Sequence, residues 1–303
     1  MYERFFGLME KPFALTPDPT FLYRSRHHIH ALAALEYGLV NQAGFTLLTG
    51  EVGSGKTLMI RKLMAGLGRE FTVGLISNTN RNFGNLLQWI CLAFELSDQG
   101  KSPAALYHEF VDFLARQYAA RRRVLLIVDE AQNLDAALLE ELRVLSNVNA
   151  DKDQVLQTML VGQPELRLML RRPELRQFAQ RISSDFHLPG LGQQEARQYV
   201  RHRLSMAGGD LALLSPEAID LAWKASNGIP RLINQLCDQA LVYAFGDGVR
   251  HVDRAIMSSV IQDREAGGLW QPQMLSPGHE LPAAAVSPAL RTTAPSGGAS
   301  PVR

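Results

Sequence analysis

The sequence predicts an α/β protein in which a parallel sheet, covered on both faces by helices as a three-layer sandwich, is followed by a small all-helical domain. Short, nearly continuous apolar segments alternate with helical segments over residues 45–191, which is typical of a buried parallel sheet. From residue 192 the strand pattern ends and amphipathic helices follow. A glycine-rich loop at residues 50–57 stands directly between the first strand and the next helix.

Residues 1–44 are predicted to form an N-terminal region outside the sheet. Residues 1–24 are rich in aromatic residues and proline, too apolar for a disordered tail and too interrupted by proline for a long helix. We therefore expect them to lie across the folded body. Ser25 is a plausible N-cap for a helix that ends near Gly44.

The core, residues 45–191, is predicted to alternate strands with helices. The predicted strands are 45–49, 71–77, 124–128, 158–161 and 185–188. The predicted helices between them are 55–67, 82–96, 103–120 and 135–147. Because each strand is short and mostly apolar, we expect helices on both faces of the sheet.

A second domain over residues 192–266 is predicted to be all helical. Its amphipathic helices are expected at 192–206, 215–226, 231–245 and 252–264. Beyond Gly267 the composition shifts to proline, alanine, serine and glycine with almost no periodicity, which predicts a disordered tail over residues 267–303.

The composition gives no general electrostatic reason to expect nucleic acid or an anionic membrane as a partner. The chain has 31 basic and 30 acidic side chains, a formal charge of +1, so only a local basic patch would bind a polyanion. No charged-then-apolar leader opens the sequence, and no apolar run of about 18 residues occurs. We expect a cytoplasmic protein without direct membrane insertion, associated with a membrane only through a partner.

Two sets of potentially reactive side chains are predicted to be inert. Cys91 and Cys237 lie in apolar, helical segments and are expected in the core, which fits a reducing cytoplasm. His27, His28 and His30 lie near a predicted helix start without accompanying carboxylates or cysteines. They are expected to form a solvated or stacked helix face rather than a metal site.

The loop at residues 50–57 satisfies the pattern G-x-x-x-x-G-K-[ST] in the strand–loop–helix context that phosphate binding needs. Backbone N–H groups and the helix N-terminus bind the phosphates, Lys56 reaches the β and γ phosphates, and the Thr57 hydroxyl ligates magnesium. The loop therefore predicts binding of ATP with Mg²⁺. The residues expected to contact the nucleotide are Gly50, Glu51, Val52, Gly53, Ser54, Gly55, Lys56, Thr57 and Leu58.

The second functional element is an apolar strand, residues 124–128, that ends in Asp129 and Glu130. By itself this pattern also fits a strand entering a solvated turn. Downstream of the glycine-rich loop it matches the Walker B arrangement, in which Asp129 holds the magnesium shell and Glu130 orients and polarises the attacking water.

Polar amides follow the predicted strands. Gln163 comes directly after the strand at 158–161 and would lie next to Asp129 if the two strands are neighbours. It is a candidate γ-phosphate sensor, or else a turn residue before a helix. Gln132 and Asn133 either serve the same water network or cap the following helix.

Two arginines are candidate phosphate contacts. Arg181 falls between the fourth and fifth strands, where ring-forming ATPases present an arginine to the γ-phosphate of a neighbouring subunit. Arg176, the pair Arg171 and Arg172, and a purely structural role are the alternatives. Arg231 opens a helix of the second domain and would reach back over the phosphates, unless it only forms a salt bridge at the helix start.

Together these motifs resemble the ExeA/GspA family of AAA ATPases, over residues 1 to about 265. The matching segments are Tyr2-Glu3-Arg4-Phe5-Phe6-Gly7-Leu8, Lys11-Pro12-Phe13, Thr16-Pro17-Asp18-Pro19, the loop from Gly50 to Thr57, Asp129-Glu130-Ala131-Gln132-Asn133-Leu134, Gly162-Gln163-Pro164-Glu165-Leu166 and Gly228-Ile229-Pro230-Arg231. The resemblance implies an AAA+ fold, ATP hydrolysis, a homo-oligomer such as a ring, and a protein partner in an envelope assembly or export system.

Within this family the exosortase and exopolysaccharide-associated branch is the preferred relative because of the overall length, with a location in the cytoplasm or at the inner membrane through a partner. Secretion-pathway members continue into a membrane helix and a peptidoglycan-binding region, and neither follows Gly267 here. The alternative is an ATP-dependent DNA-targeting protein similar to the TniB and MuB transposition ATPases, which share the Walker B pattern. The near-zero net charge does not favour nucleic acid, and Glu130 argues against a non-hydrolysing scaffold.

Overall fold

The computed structural model describes residues 1–16, 21, 23–77, 84–98, 100–148 and 154–268. The predicted tail beyond residue 268, and Pro17 to Pro19 of the N-terminal motif, lie outside the described residues. The strands are β1 (Phe45–Gly50), β2 (Phe71–Ile76), β3 (Arg123–Val128), β4 (Leu156–Gly162) and β5 (Ile182–Leu188). The helices are α1 (Glu3–Phe6), α2 (Arg26–Val40), α3 (Lys56–Gly66), α4 (Leu86–Ala93), α5 (Pro103–Ala119), α6 (Ala136–Leu145), α7 (Pro164–Leu170), α8 (Arg176–Ala179), α9 (Gln193–Met206), α10 (Pro216–Ala225), α11 (Pro230–Gly246) and α12 (Arg254–Ala266).

Within the described residues, five parallel strands form one sheet in the order β2-β3-β4-β1-β5. The predicted α/β class with a parallel sheet is confirmed. Because all strands run in one direction, the residues that follow β1, β3 and β4 meet at the carboxyl edge of the sheet, which is where open α/β sheets bind ligands.

Helices cover both faces of the sheet, and alternate residues of each inner strand enter opposite cores. On β3, Leu126 faces a core shared with Phe110 of α5, whereas Ile127 faces the core shared with Leu35 of α2 and Ile60 of α3. All five side chains are at least nine-tenths buried. Each buried side chain of this size stabilises the fold by about 1.5–3 kcal/mol.

A third core lies in the helical region, among α9 to α12, and it includes the N-terminal segment. Tyr2, Phe13 and Phe21 are buried there. The Tyr2 hydroxyl donates to a carboxylate oxygen of Asp238, and the Arg203 guanidinium donates to the carbonyl oxygen of Pro12. The N-terminal segment therefore lies against the helical region rather than against the sheet.

Several element boundaries differ from expectation by a few residues; α4, for example, ends at Ala93 rather than at residue 96. Helix α2 ends at Val40, with Asn41 as its C-cap, instead of near Gly44. Strand β5 begins at Ile182, three residues before its predicted start at 185. The prediction missed these residues because Ser183 and Asp185 of this edge strand are exposed. Polar residues at exposed positions break the apolar run that identifies the inner strands.

Cys91 and Cys237 are both buried, which confirms their prediction as core residues. Burial raises the pKa of both thiols. Among the described residues, none of the helices combines the length and the hydrophobicity that a bilayer-spanning helix requires.

Candidate active site

The glycine-rich loop joins β1 to α3 and depends on two glycines in the left-handed region. Gly53 has φ 83° and Gly55 has φ 104°. A Cβ atom on Gly53 would lie 2.4 Å from Cβ of Arg231, and one on Gly55 would lie 2.9 Å from Nε2 of His28. Both the backbone conformation and the close neighbours therefore require glycine at these positions. The described loop residues from Val52 to Leu58 line a pocket.

Lys56 lies at the base of this loop, with 6% of its surface exposed. Its Nζ donates to the carbonyl oxygens of Gly50 at 2.8 Å and Glu51 at 3.0 Å. Burial lowers the pKa of Lys56, and the nearby charges of Glu130 and Asp129 partly oppose that shift. The loop thus holds an ammonium group beside the helix N-terminus, where an anion is favoured.

Asp129 follows β3 and faces Thr57, the residue after Lys56. The Thr57 hydroxyl donates to Oδ2 of Asp129 at 3.4 Å, and the Glu130 N–H donates to Oδ1 at 2.9 Å. Burial raises the pKa of Asp129, and the hydrogen bond from the Glu130 N–H partly opposes this shift. The described residues contain no group of three or more His, Cys, Asp or Glu side chains that could hold a metal ion. A hydroxyl and one carboxylate fit Mg²⁺, which usually takes further oxygens from phosphates and water.

Glu130 has a left-handed backbone, with φ 51°, and its carboxylate is held by two side-chain amides. Oε2 of Glu130 accepts from Nε2 of Gln132 at 2.6 Å and from Nε2 of Gln163 at 3.3 Å. Oε1 of Gln132 in turn accepts from the Gln163 N–H at 3.0 Å. The pairing of β3 with β4 thus brings Gln163 to Glu130, rather than to Asp129 as expected. Asn133 is exposed.

Arg231 lies over the loop at the start of α11. Its backbone N–H donates to the Gly53 carbonyl oxygen at 3.3 Å. The preceding turn depends on Gly228, where φ is 72° and a Cβ atom would lie 2.2 Å from the Leu191 carbonyl oxygen. The helical region therefore touches the loop through this residue. Its contact with phosphate remains a prediction.

Arg181 lies at the opposite, amino edge of the sheet, directly before β5. Its guanidinium donates to Oδ1 of Asn147 at 2.6 Å and to Oγ of Ser146 at 3.1 Å, both just after α6. Six strand residues separate this edge from the loop, which is roughly 20 Å. Arg181 cannot reach a nucleotide in its own chain. The alternative arginines are exposed: Arg171, Arg172 and Arg176.

The histidine cluster was predicted to form a solvated or stacked face, and this is wrong for His28. His30 is exposed, but His28 is only 8% exposed and contacts the loop. Its Nδ1 is 2.7 Å from Oγ of Ser25, and its Nε2 is 3.2 Å from the carbonyl oxygen of Ser54. One signal could have found it, because His28 stands at the third position after the Ser25 cap, where a side chain turns back toward the cap.

The remaining pocket wall comes from the N-terminal segment and the helical region, which sequence reasoning did not assign to the site. It includes Phe21, Tyr23, Tyr199, Arg203 and Asn234. The Tyr199 hydroxyl donates to Oδ1 of Asn234 at 2.8 Å, and the Arg203 guanidinium lies 4.5 Å from the centre of the Phe21 ring. No sequence motif joins these positions, since they meet only when the segment packs on α9 and α11.

Comparisons with known proteins agree with this architecture. Residues 40–170 match the family model described as an AAA domain. The chain is 43% identical over 275 residues to General secretion pathway protein A of Aeromonas hydrophila, covering 89% of this chain. It spans 50% of that relative's length.

Solved structures with the same fold include origin-recognition proteins. The ORC2 protein of Aeropyrum pernix, in ADPNP–ADP complexes, has a TM-score of 0.60 and 19% identity, covering 84% of this chain and 71% of that one. Cdc6p of Pyrobaculum aerophilum has a TM-score of 0.59 and 18% identity, covering 80% and 67%. At these identities the likeness shows the fold only. The sequence relative and the matched AAA domain together establish that the chain belongs to the general secretion pathway protein A family of AAA ATPases.

Proposed function

We propose that this chain binds ATP with Mg²⁺ in the pocket of the glycine-rich loop and hydrolyses it with Glu130. The convergence of Lys56, Thr57, Asp129 and Glu130 at the carboxyl edge of the sheet carries this proposal. The loop also fits a phosphate chain, because Oγ of Ser54 is buried without a hydrogen-bond partner among the described residues.

In the proposed reaction, the loop N–H groups and Lys56 hold the phosphates and neutralise their charge. Thr57 and Asp129 would hold Mg²⁺, which supplies further charge neutralisation at the phosphate oxygens when it is bound. Glu130 orients a water molecule and accepts its proton as the water oxygen bonds to the γ-phosphorus and the bond to the β-phosphate oxygen breaks. Gln163 would sense the γ-phosphate, a role that its hydrogen bond to Glu130 supports.

We further propose that the active form is a homo-oligomer in which Arg181 serves the site of a neighbouring chain. Its distance from its own loop supports a role between chains rather than within one. Such a role requires Arg181 to leave Asn147 and Ser146, or to extend past them. Arg171, Arg172 and Arg176 remain the exposed alternatives.

The cellular role is proposed from the sequence relative, whose name places it in general secretion. The chain would couple ATP turnover to a protein partner of an envelope secretion or exopolysaccharide export system. The origin-recognition structures share only the fold and do not favour the DNA-targeting alternative. In the native organism, Lys56→Ala should reduce export of either protein or polysaccharide into the medium, and the affected product identifies the branch. Unchanged export of both would contradict this role.

Phosphate release by the purified chain tests the chemistry. With ATP and Mg²⁺ we expect steady release, and Lys56→Ala should abolish both release and ATP binding because the cation on the β and γ phosphates is removed. Lys62→Ala is the matched control, since Lys62 lies on the same helix but is exposed. Equal ATP affinity in the wild type and Lys56→Ala would overturn the assignment of the loop.

A further inference from the structure

His28 reaches the nucleotide loop from outside it, through a hydrogen-bonded chain that begins at the α2 cap. The Ser25 hydroxyl oxygen accepts from the His28 backbone N–H at 3.3 Å and lies 2.7 Å from Nδ1 of the same residue. The other ring nitrogen, Nε2, lies 3.2 Å from the Ser54 carbonyl oxygen. Because a carbonyl oxygen only accepts, Nε2 carries the proton and Nδ1 accepts from the Ser25 hydroxyl. Burial lowers the pKa of His28, which favours this neutral form.

The contact sets the direction of one loop peptide group. A trans peptide is planar, and its N–H points away from its C=O. A Ser54 carbonyl held toward His28 therefore turns the N–H of Gly55 to the opposite side. Gly55 lines the pocket and is the N-cap of α3, so its N–H lies at the helix N-terminus, where a phosphate is favoured. N–H groups directed at a phosphate form charge-assisted hydrogen bonds, which are about twice as strong as neutral ones.

Capping of α2 does not explain the ring. The cap is completed by the Ser25 hydroxyl and the His28 backbone N–H, and it would persist with another side chain at this position. The imidazole instead reaches the loop, where its Nε2 would lie 2.9 Å from a Cβ atom on Gly55. The Nε2–H of the ring donates to the Ser54 carbonyl oxygen.

The neighbouring peptide group is held in the same way from the helical region, since the Gly53 carbonyl oxygen accepts from the Arg231 N–H at 3.3 Å. The segment before His28 is also tied to that region. The Arg26 N–H donates to Oε1 of Glu195 at 3.1 Å. Consecutive loop carbonyls, at Gly53 and Ser54, are therefore held by α11 and by α2.

We propose that His28 is a positioning residue of the nucleotide site, whose Nε2–H fixes the Ser54 carbonyl so that the Gly55 N–H faces the phosphates of ATP. This inference rests on the proposed function and deepens it. Since phosphate contacts act in both the ground and the transition state, losing the donor should raise KM and leave kcat nearly unchanged.

The test compares side chains that keep or lose the distal donor. Glutamine places an amide N–H where Nε2 lies, whereas asparagine keeps only a partner for Ser25. We expect His28→Asn to raise the Kd for ATP with Mg²⁺ about tenfold, and His28→Gln to remain within about threefold of wild type. His30→Asn is the matched control, because His30 is exposed on the same helix. Should His28→Asn melt below the assay temperature, His28→Met, as long as glutamine but without a donor, takes its place.

Each result separates the two proposals. If wild-type protein fails to bind ATP, the proposed function falls and this inference falls with it. If wild type binds, Lys56→Ala does not, and the folded donor-free variant binds like wild type, only the role of His28 is overturned. Equal weakening in His28→Gln and the donor-free variant, with both folded by circular dichroism, would also overturn it, because the donor would then not matter.

Discussion

The two edges of the sheet hold their polar side chains in different ways. At the carboxyl edge, Lys56 in the loop after β1 meets Asp129 and Glu130, which both follow β3. At the amino edge, Arg181 is bonded to Ser146 and Asn147, which no motif marks. The residues of the first edge meet within one chain, whereas the role proposed for Arg181 needs a second chain. A motif therefore defines a site here only when parallel strands bring its parts to the same edge.

Among variants of Arg181, Gln163 and Arg231, the largest effect should come from Arg181 at the amino edge. If Arg181 serves a neighbouring site, Arg181→Ala should reduce turnover by about 10³-fold, because a guanidinium supplied between chains neutralises transition-state charge. Mixing it with Lys56→Ala chains, which keep the arginine, should restore part of the activity, with assembly confirmed by light scattering.

The same variant can also contradict an intersubunit role for Arg181. If Arg181 only joins β5 to α6, its removal lowers the melting temperature, turnover per folded chain stays near wild type, and mixing changes nothing. Arg176→Ala is the parallel variant at an exposed alternative position. A large loss in that variant, restored by mixing, would move the intersubunit role from Arg181 to Arg176.

A smaller effect is expected for Gln163 at the carboxyl edge. Gln163→Leu removes one of the two amides that hold the Glu130 carboxylate, so kcat should fall about 10- to 100-fold while ATP affinity is kept. Gln132→Leu removes the other, and the double variant should lose less than the product of the single effects, because both act on one carboxylate. If the two single effects multiply in the double variant, measured by single-turnover kinetics, Gln163 does not act through the Glu130 carboxylate.

The smallest effect should be that of Arg231, whose exposed side chain lies over the loop. Arg231→Ala should weaken ATP binding about tenfold or less, measured by titration calorimetry. Arg201→Ala, an exposed arginine of α9, is the control. If both variants bind ATP like wild type, Arg231 contacts the loop only through its backbone.

The sequence predicted the position of a residue best where a pattern fixes which strand ends coincide. The glycines of the loop, Lys56 and the carboxylates after β3 follow from spacing, because parallel strands fix which ends coincide. It failed for His28, whose partner Ser54 is brought to it by the packing of α2 on the sheet. It also placed the start of β5 too late, since the exposed Ser183 and Asp185 of this edge strand carry no apolar signal. Contacts made by tertiary packing, rather than by spacing, were the ones missed.

Glu130→Gln tests most directly whether the carboxyl edge is a site of ATP hydrolysis. Bound ATP and released phosphate should be measured on the same sample. We predict ATP binding within about twofold of wild type and phosphate release slower by about 10²- to 10⁴-fold, because the amide orients water poorly and cannot accept its proton. Phosphate release at the wild-type rate in this variant would contradict the account and remove Glu130 from the mechanism.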